Sequence, residues 1–431
     1  MLALCHTVVL QGMIPLWRIF GGSRRGAALS WVALTNHLMS TDTQLDSRTP
    51  PARAKPRPPR LLYVVTEDWF FLSHRLPMAR AALAAGFEVH VATNVVDGAA
   101  AIAREGFILH PVRFARGRLS PFATLATIRA LRRLHRTLAP DLVHHVALQA
   151  TILGSLAALG APAARVNAIT GLGHTFISQS RKARLMRRLI GGLLRQLIDR
   201  PRSIALVQNP DDRQLLLGLG IAPDRIVLIP GSGVDVAGLK PLPEPDGPVT
   251  LGFVGRLLDD KGIRVLVAAH RLLRARGSPV MLLIAGTPDP ANPASVSRAE
   301  AEGWSREPGI SWLGHVDDIA TVWARAHIAV LPSRREGLPK SLLEAAACAR
   351  PMIATDVPGC REVAIPNETG LLVRADDSAA LADAIERLAQ APDLRAHFGA
   401  AARRLAEKRF SADAIGRSVT ELYLQLVRTP G

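Results

Sequence analysis

The sequence predicts a two-domain α/β protein, each domain a parallel sheet covered by helices on both faces. Short apolar runs alternate with helix-period stretches from residue 61 onward. The series halts at a Pro-rich linker, residues 240–248 (KPLPEPDGP), and then restarts. Continuously apolar strands separated by helices are the mark of sheets buried on both faces. At 431 residues the chain is long enough for two separate cores.

The expected strands of the first series are residues 61–66 (LLYVVT), 87–93 (FEVHVAT), 142–146 (LVHHV), 165–170 (RVNAIT), 203–209 (SIALVQN) and 225–231 (RIVLIPG). Those of the second are residues 250–256 (TLGFVGR), 280–286 (VMLLIAG), 328–333 (IAVLPS), 352–357 (MIATDV) and 370–374 (GLLVR). The domains are therefore expected at 61–235 and 236–410. An amphipathic helix is expected in the tail, 411–431. Ligands of such sheets bind beyond the carboxyl ends of the strands.

Residues 1–60 are expected to be a disordered or non-native extension. Residues 1–20 are apolar but interrupted by His6, Gln11, Pro15 and Arg18. They are too polar for a membrane span and lack the basic start of a signal peptide. Residues 41–60 are rich in Pro and Arg. A membrane-surface role is the alternative.

Lys plus Arg number 53 against 36 Asp plus Glu, a net charge of +17 that suits nucleic acid, an anionic membrane or an anionic substrate. Nucleic acid is set aside: aromatics are only 4% and no nucleic-acid motif is present. Arg richness as a genome-composition effect is the plain alternative. Cys5, Cys348 and Cys360 are too few and scattered for a disulfide framework or zinc site, which points to a reducing cytoplasm. Cys348, among alanines, reads as small core filler.

The chemistry concentrates in residues 331–344, LPSRREGLPKSLLE. An apolar strand runs into a tight turn with Gly337 and Pro339, and a helix opens with Lys340 and Ser341. Free backbone amides and the helix dipole there favour phosphate. Glu336 and Glu344 bracket the turn with seven residues between them. The first can bond sugar hydroxyls or stabilise positive charge at a sugar carbon, and the second can accept from a ribose diol. Phosphate, sugar and ribose together describe a nucleotide-sugar. Two glutamates on a solvated face are the plain alternative.

Upstream, Gly255 and Arg256 end the first strand of the second series, and Lys261 precedes the next helix. Glycine permits close backbone approach, Arg256 can clamp phosphate oxygens, and Lys261 adds a point charge.

The Glu-x7-Glu spacing, continued through residues 343–363 (LEAAACARPMIATDVPGCREV), resembles the retaining family-4 glycosyltransferases. The resemblance implies a GT-B fold, two Rossmann-like domains facing a cleft, with the tail helix packed back on the first domain. It implies catalytic roles for Glu336, Arg256 and Lys261, with the two cations stabilising a departing diphosphate. The donor site would comprise Glu344, Gly255, Gly337, Leu338, Pro339, Lys340 and Ser341, with the base near residues 311–318. No metal and no cofactor is expected. The Asp-Asp pairs at Asp211, Asp259, Asp317 and Asp376 read as helix-start caps. The Gly-Val-Asp turn ending at Asp235 reads as a hinge.

Residues 68–83 (DWFFLSHRLPMARAAL) and 167–176 (NAITGLGHTF) resemble a bacterial subgroup acting on polyprenyl-diphosphate-linked saccharides. Acceptor contacts are accordingly assigned to His74, Arg75 and Gly171, with a plain helix start as the alternative for the first two. The histidine that many relatives carry at Thr170-Gly171 is absent, as is their Gly-rich loop after the first strand. His144 and His145 read as packing. Residues 178–197 form a basic amphipathic helix candidate, suited to an anionic membrane or to a solvated face.

The expected activity is sugar transfer from a nucleotide-sugar, UDP-linked by preference, to a polyprenyl-diphosphate-linked or other saccharide in surface polysaccharide assembly. The location would be cytoplasmic, peripheral on the inner membrane face. The rivals are an idle paralogue acting as scaffold or lipid binder, and a GT-B epimerase or phosphorylase.

Overall fold

The computed structural model describes residues 57–115, 120–170 and 181–429, with residues 181–186 described in backbone only. The first sheet holds β1 (Arg60–Glu67), β2 (Glu88–Asn94), β3 (Ile108–Pro111), β4 (Leu142–Val146), β5 (Ala164–Ala168), β6 (Ser203–Val207) and β7 (Ile226–Leu228), in the order β3-β2-β1-β4-β5-β6-β7. The second holds β8 (Thr250–Val254), β9 (Met281–Ala285), β10 (Ile310–Gly314), β11 (Ile328–Leu331), β12 (Met352–Thr355) and β13 (Gly370–Val373), in the order β10-β9-β8-β11-β12-β13. Every pairing is parallel.

Strand order reverses between β1 and β4 in the first sheet and between β8 and β11 in the second. Such a reversal leaves a crevice, because the connecting helices on its two sides lie on opposite faces. The segments that follow β1, β8 and β11 carry residues 68–75, 255–262 and 332–339. The chain's chemistry-bearing residues therefore stand at the two switch points.

The structure corrects the strand list at both outer edges. β3 and β10 are absent from the sequence reading, and residues 311–314, near which that reading sets the base, lie in β10. Both are edge strands with partly exposed faces, so their apolar runs are diluted. The amino-terminal boundary also moves. Residues 1–56 lie outside the described residues, but β1 starts at Arg60, and Arg57 donates to both carboxylate oxygens of Asp141.

The tail helix Ala412–Arg428 is capped by Ser411, whose hydroxyl accepts from the Ala414 amide. Its Ile415, Val419, Tyr423 and Leu426 join the core beneath the first sheet. Gly416 is needed there, since a Cβ would stand 2.9 Å from that of Ala81. Tyr423 Oη lies 2.9 Å from Tyr63 Oη and also bonds His144 Nδ1. The chain crosses between the sheets twice at one place, where Val234 bonds both the Phe410 carbonyl and the Ala412 amide. His144, His145, Cys348 and Cys360 are all fully buried, as packing groups should be.

The helix Arg181–Ile198 buries Ile190, Leu194, Leu197 and Ile198 in a core of its own and leaves Arg188, Leu189 and Arg195 exposed. Among the described residues no helix is long and apolar enough to cross a membrane.

Candidate active site in the cleft between the sheets

Gly262 builds the first part of the site. It adopts φ +72° at the start of the helix Ile263–Ala275, and a Cβ there would stand 2.0 Å from the Pro332 carbonyl oxygen. This close approach seats the Lys261 loop against the end of β11. Lys261 Nζ consequently meets Glu336 Oε1 at 2.6 Å, and Ser333 Oγ donates to the same oxygen at 2.6 Å. Glu336 is only 9% exposed, so its charge is balanced locally by the lysine.

The helix Lys340–Ala347 starts after Pro339, and no side chain caps its amino terminus. Its first amides are therefore free to face an anion. Glu344, also 9% exposed, pairs with Lys340 (Nζ–Oε1 3.1 Å) one turn earlier. Burial raises the Glu344 pKa, against the pull of Lys340. Leu338 and Pro339 are buried, and Ser341 lies in the first helical turn.

Arg256 follows Gly255 at the end of β8 and donates to Asp289 at 2.9 Å. Its guanidinium carbon sits 5.6 Å from the Trp69 ring centroid, so it bridges to the first domain. Gly286 is required beside it, because a Cβ there would meet the Gly255 carbonyl oxygen at 1.9 Å.

The first domain supplies the opposite wall from the helix Asp68–His74. Asp68, fully buried, accepts from the amides of Val96, Asp97 and Gly98, which pins the start of that helix. His74 stacks on Phe70 with 4.3 Å between centroids. Burial and the charges of Arg75, Lys340 and Lys261 push its pKa down to about 3, so the imidazole is neutral and faces the second domain.

The assigned acceptor residues fare differently. Arg75 is 1% exposed, under the influence of Tyr63 and Tyr423, and donates to the His74 carbonyl. It stands between the helices Asp68–His74 and Leu76–Ala84 with its side chain turned inward, so it offers little surface to an acceptor. Gly171 lies outside the described residues. The capping reading of the Asp pairs is also corrected in part. Asp377 caps a helix, accepting from the Ala380 amide, and Asp318 accepts from the Ala320 amide. At Asp211-Asp212 the cap is Asn209, and the two carboxylates instead reach Arg361 (3.1 Å) and Arg335 (3.0 Å) of the second domain.

Sequence reasoning missed Ser333, Trp69, Asn209 and Asp212. The only local signal among them is Asn-Pro-Asp-Asp, which announces a helix start and nothing about a partner in the other domain. Among the described residues no group of three or more His, Cys, Asp or Glu is arranged to hold a metal ion.

Two sugar-transferase domain families match the chain, one per sheet. Residues 60–200 match the family described as glycosyl transferase 4-like, and residues 248–391 match glycosyl transferases group 1. The capsular polysaccharide biosynthesis glycosyltransferase CapM of Staphylococcus aureus is 30% identical over 173 residues, 40% of this chain and 45% of that one, so the chain spans about half of that relative. The N,N'-diacetylbacillosaminyl-diphospho-undecaprenol alpha-1,3-N-acetylgalactosaminyltransferase of Campylobacter jejuni is 26% identical over 297 residues, 65% of this chain and 76% of that one. Among solved structures, Anabaena Alr3699/HepE in complex with UDP-glucose superposes with a TM-score of 0.68 at 17% identity, covering 85% of this chain and 99% of that one, a likeness of fold. Residues 60–200 and 248–391 are thus glycosyltransferase-family domains, 4-like and group 1 respectively, and the two parallel sheets share the GT-B fold of the solved glycosyltransferases.

Proposed function

We propose that the protein transfers a sugar, with retention of anomeric configuration, from a UDP-sugar to a hydroxyl of a lipid-linked saccharide in surface polysaccharide assembly. The observation that carries this reading is the meeting of Lys261 with Glu336 at the mouth of an uncapped helix, one turn before the buried Glu344. The nucleotide and acceptor classes draw support from relatives: the Anabaena protein was crystallised with UDP-glucose, and the Campylobacter enzyme is named for a diphospho-undecaprenol acceptor.

In this reading the donor diphosphate lies between Arg256, Lys261 and the amides that open the helix Lys340–Ala347. Glu344 accepts from the ribose. As the bond from the anomeric carbon to the diphosphate oxygen breaks, the negative charge is taken by the two cations and the amides. Lys261 leaves Glu336 for the phosphate, and Glu336 turns to the sugar, where it supports positive charge at the anomeric carbon. Retention requires the acceptor oxygen to bond on the face the diphosphate leaves. The acceptor proton then passes to the departing phosphate oxygen beside it. The cations carry the leaving-group charge, so the reading includes no metal and no cofactor. His74, neutral at the opposite wall, is left as an acceptor contact. The exposed Arg188, Leu189 and Arg195 would hold the enzyme to an anionic inner-membrane surface.

The test is a screen of labelled UDP- and GDP-sugars for transfer to lipid in membranes, with and without chelator. Chelator-resistant transfer from one donor, lost in Glu336→Ala, is expected. No binding of any nucleotide-sugar would refute the reading and leave a scaffold.

A further inference from the structure

The segment that carries Glu336 lies outside both sheet and helix, between Leu331 of β11 and the helix starting at Lys340. No backbone ladder holds it. The residues on either side of Glu336 are held, beside bonds within their own domain, by one pair of side chains from the first domain. Asn209 Nδ2 donates to the Gly337 carbonyl at 2.7 Å, and Asp212 Oδ1 accepts from Arg335 Nη2 at 3.0 Å. The pair is preorganised. Asn209 Nδ2 also donates to Asp212 Oδ2 at 3.0 Å, while Asn209 Oδ1 accepts from the Asp212 amide at 2.8 Å. Neither side chain is solvated, with Asn209 0% and Asp212 2% exposed.

The contact is close as well as polar. A Cβ on Gly337 would stand 2.6 Å from Gln208 Oε1 and 3.1 Å from the Thr170 carbonyl oxygen, both in the first domain. Arg361 to Asp211 adds a second ion pair alongside. Residues 335 and 337 are thus fastened across the cleft, while Glu336 between them faces Lys261 within its own domain.

We propose that Asn209 and Asp212 are positioning residues for Glu336, making activation of the donor sugar conditional on the first domain being docked. This rests on the reading of Glu336 as the carboxylate that serves the donor sugar. The physical consequence is direct. When the domains part, both bonds break together and residues 335 and 337 lose these two holds, leaving the turn only the bonds of its own domain, from the Arg334 amide to the Asp260 carbonyl and from Lys261 and Ser333 to Glu336. A donor bound in the open cleft then meets a misplaced carboxylate, so it is not activated while water has access. A displacement of about 1 Å is enough to cost on the order of 100-fold in rate.

The test uses the full chain and compares Asn209→Ala, Asp212→Asn, Arg335→Ala and the conservative Arg335→Lys. In the first three variants kcat is expected to fall by about 10-fold or more, with the UDP dissociation constant within about twofold of wild type, because Glu344, Arg256 and the helix amides are untouched. Arg335→Lys should recover most of the loss. An unchanged kcat, or UDP affinity falling in step with kcat, would overturn the proposal. Hydrogen exchange reads the same positioning without turnover. Faster exchange over residues 333–338 in Asn209→Ala, with β11 and β12 unchanged, supports it; unchanged exchange overturns it. Wild-type protein that binds no UDP would instead refute the donor reading, and the exchange result would stand apart from that.

Discussion

Lys261 and Glu336, 75 residues apart in the chain, meet at 2.6 Å because Gly262 lets the backbone of one loop rest on the end of β11. The pair sets a cation and an anion at one place, and the proposed function gives each a different part of a nucleotide-sugar. Glu336→Gln keeps the shape and removes the charge. We expect a loss of ~10²–10³ in transfer rate, with UDP binding retained, measured by turnover and calorimetry. A retained rate would count against the role.

Glu344 is buried beside Lys340, and its pKa is raised by that burial. Its loss should be felt in binding, not in turnover. Glu344→Gln is expected to raise the donor KM by about 10-fold or more, the loss of a hydrogen bond to a charged group, with kcat close to wild type. A fall in kcat at unchanged KM would assign it a different task.

Gly262→Ala is expected to destabilise the second domain, since its φ of +72° and the 2.0 Å approach to Pro332 leave no room for a methyl group. The cost should exceed about 1 kcal/mol. It should lower the melting temperature and weaken donor binding together, because the same approach seats Lys261.

Tyr423→Phe removes the hydroxyl that Tyr63 and His144 share under the tail helix. Leaving these buried groups short of a partner should cost about 1–3 kcal/mol. Urea unfolding measures this. Loss of activity without loss of stability would show that the tail has a role in the cleft.

Burial holds His135 at about 4 and His145 at about 3, and holds His144 well below its ordinary value. These groups stay neutral when folded but protonate in the unfolded chain below about 6.5. The unfolded state then binds more protons, so stability falls as pH drops from about 6.5 toward 4. Each contributes up to about 1.4 kcal/mol per pH unit. His135 makes no hydrogen bond from either ring nitrogen among the described residues. His135→Leu should therefore flatten the slope by one proton in urea melts between pH 7.5 and 5.

Both sheets were legible because the interior strands are mostly apolar runs buried on both faces. β4, β5 and β6 are buried at every residue, and such runs leave no ambiguity of period. β3 and β10 escaped because their side chains are largely exposed or half-buried, so no continuous apolar run marks them. The segments that carry Glu336, Glu344, Arg256 and Lys261 were legible as strand, turn and helix because each is a short run whose neighbours dictate that order. Arg75 misled because a cation beside a helix start looks solvated until the packing of Tyr63 and Tyr423 is known.

The sequence by itself determined the class of this protein: two parallel sheets, their order along the chain, and the segments whose carboxylates and cations point to a nucleotide-sugar. Local patterns suffice there, since strand, turn and helix are properties of a few successive residues. Only the tertiary structure decided which charges meet. Asn209 reaches Gly337, Asp212 reaches Arg335 and Trp69 lies under Arg256, each across the cleft between the two sheets. Nothing in the local pattern of either partner specifies the other, because such contacts depend on how two separately folded cores dock.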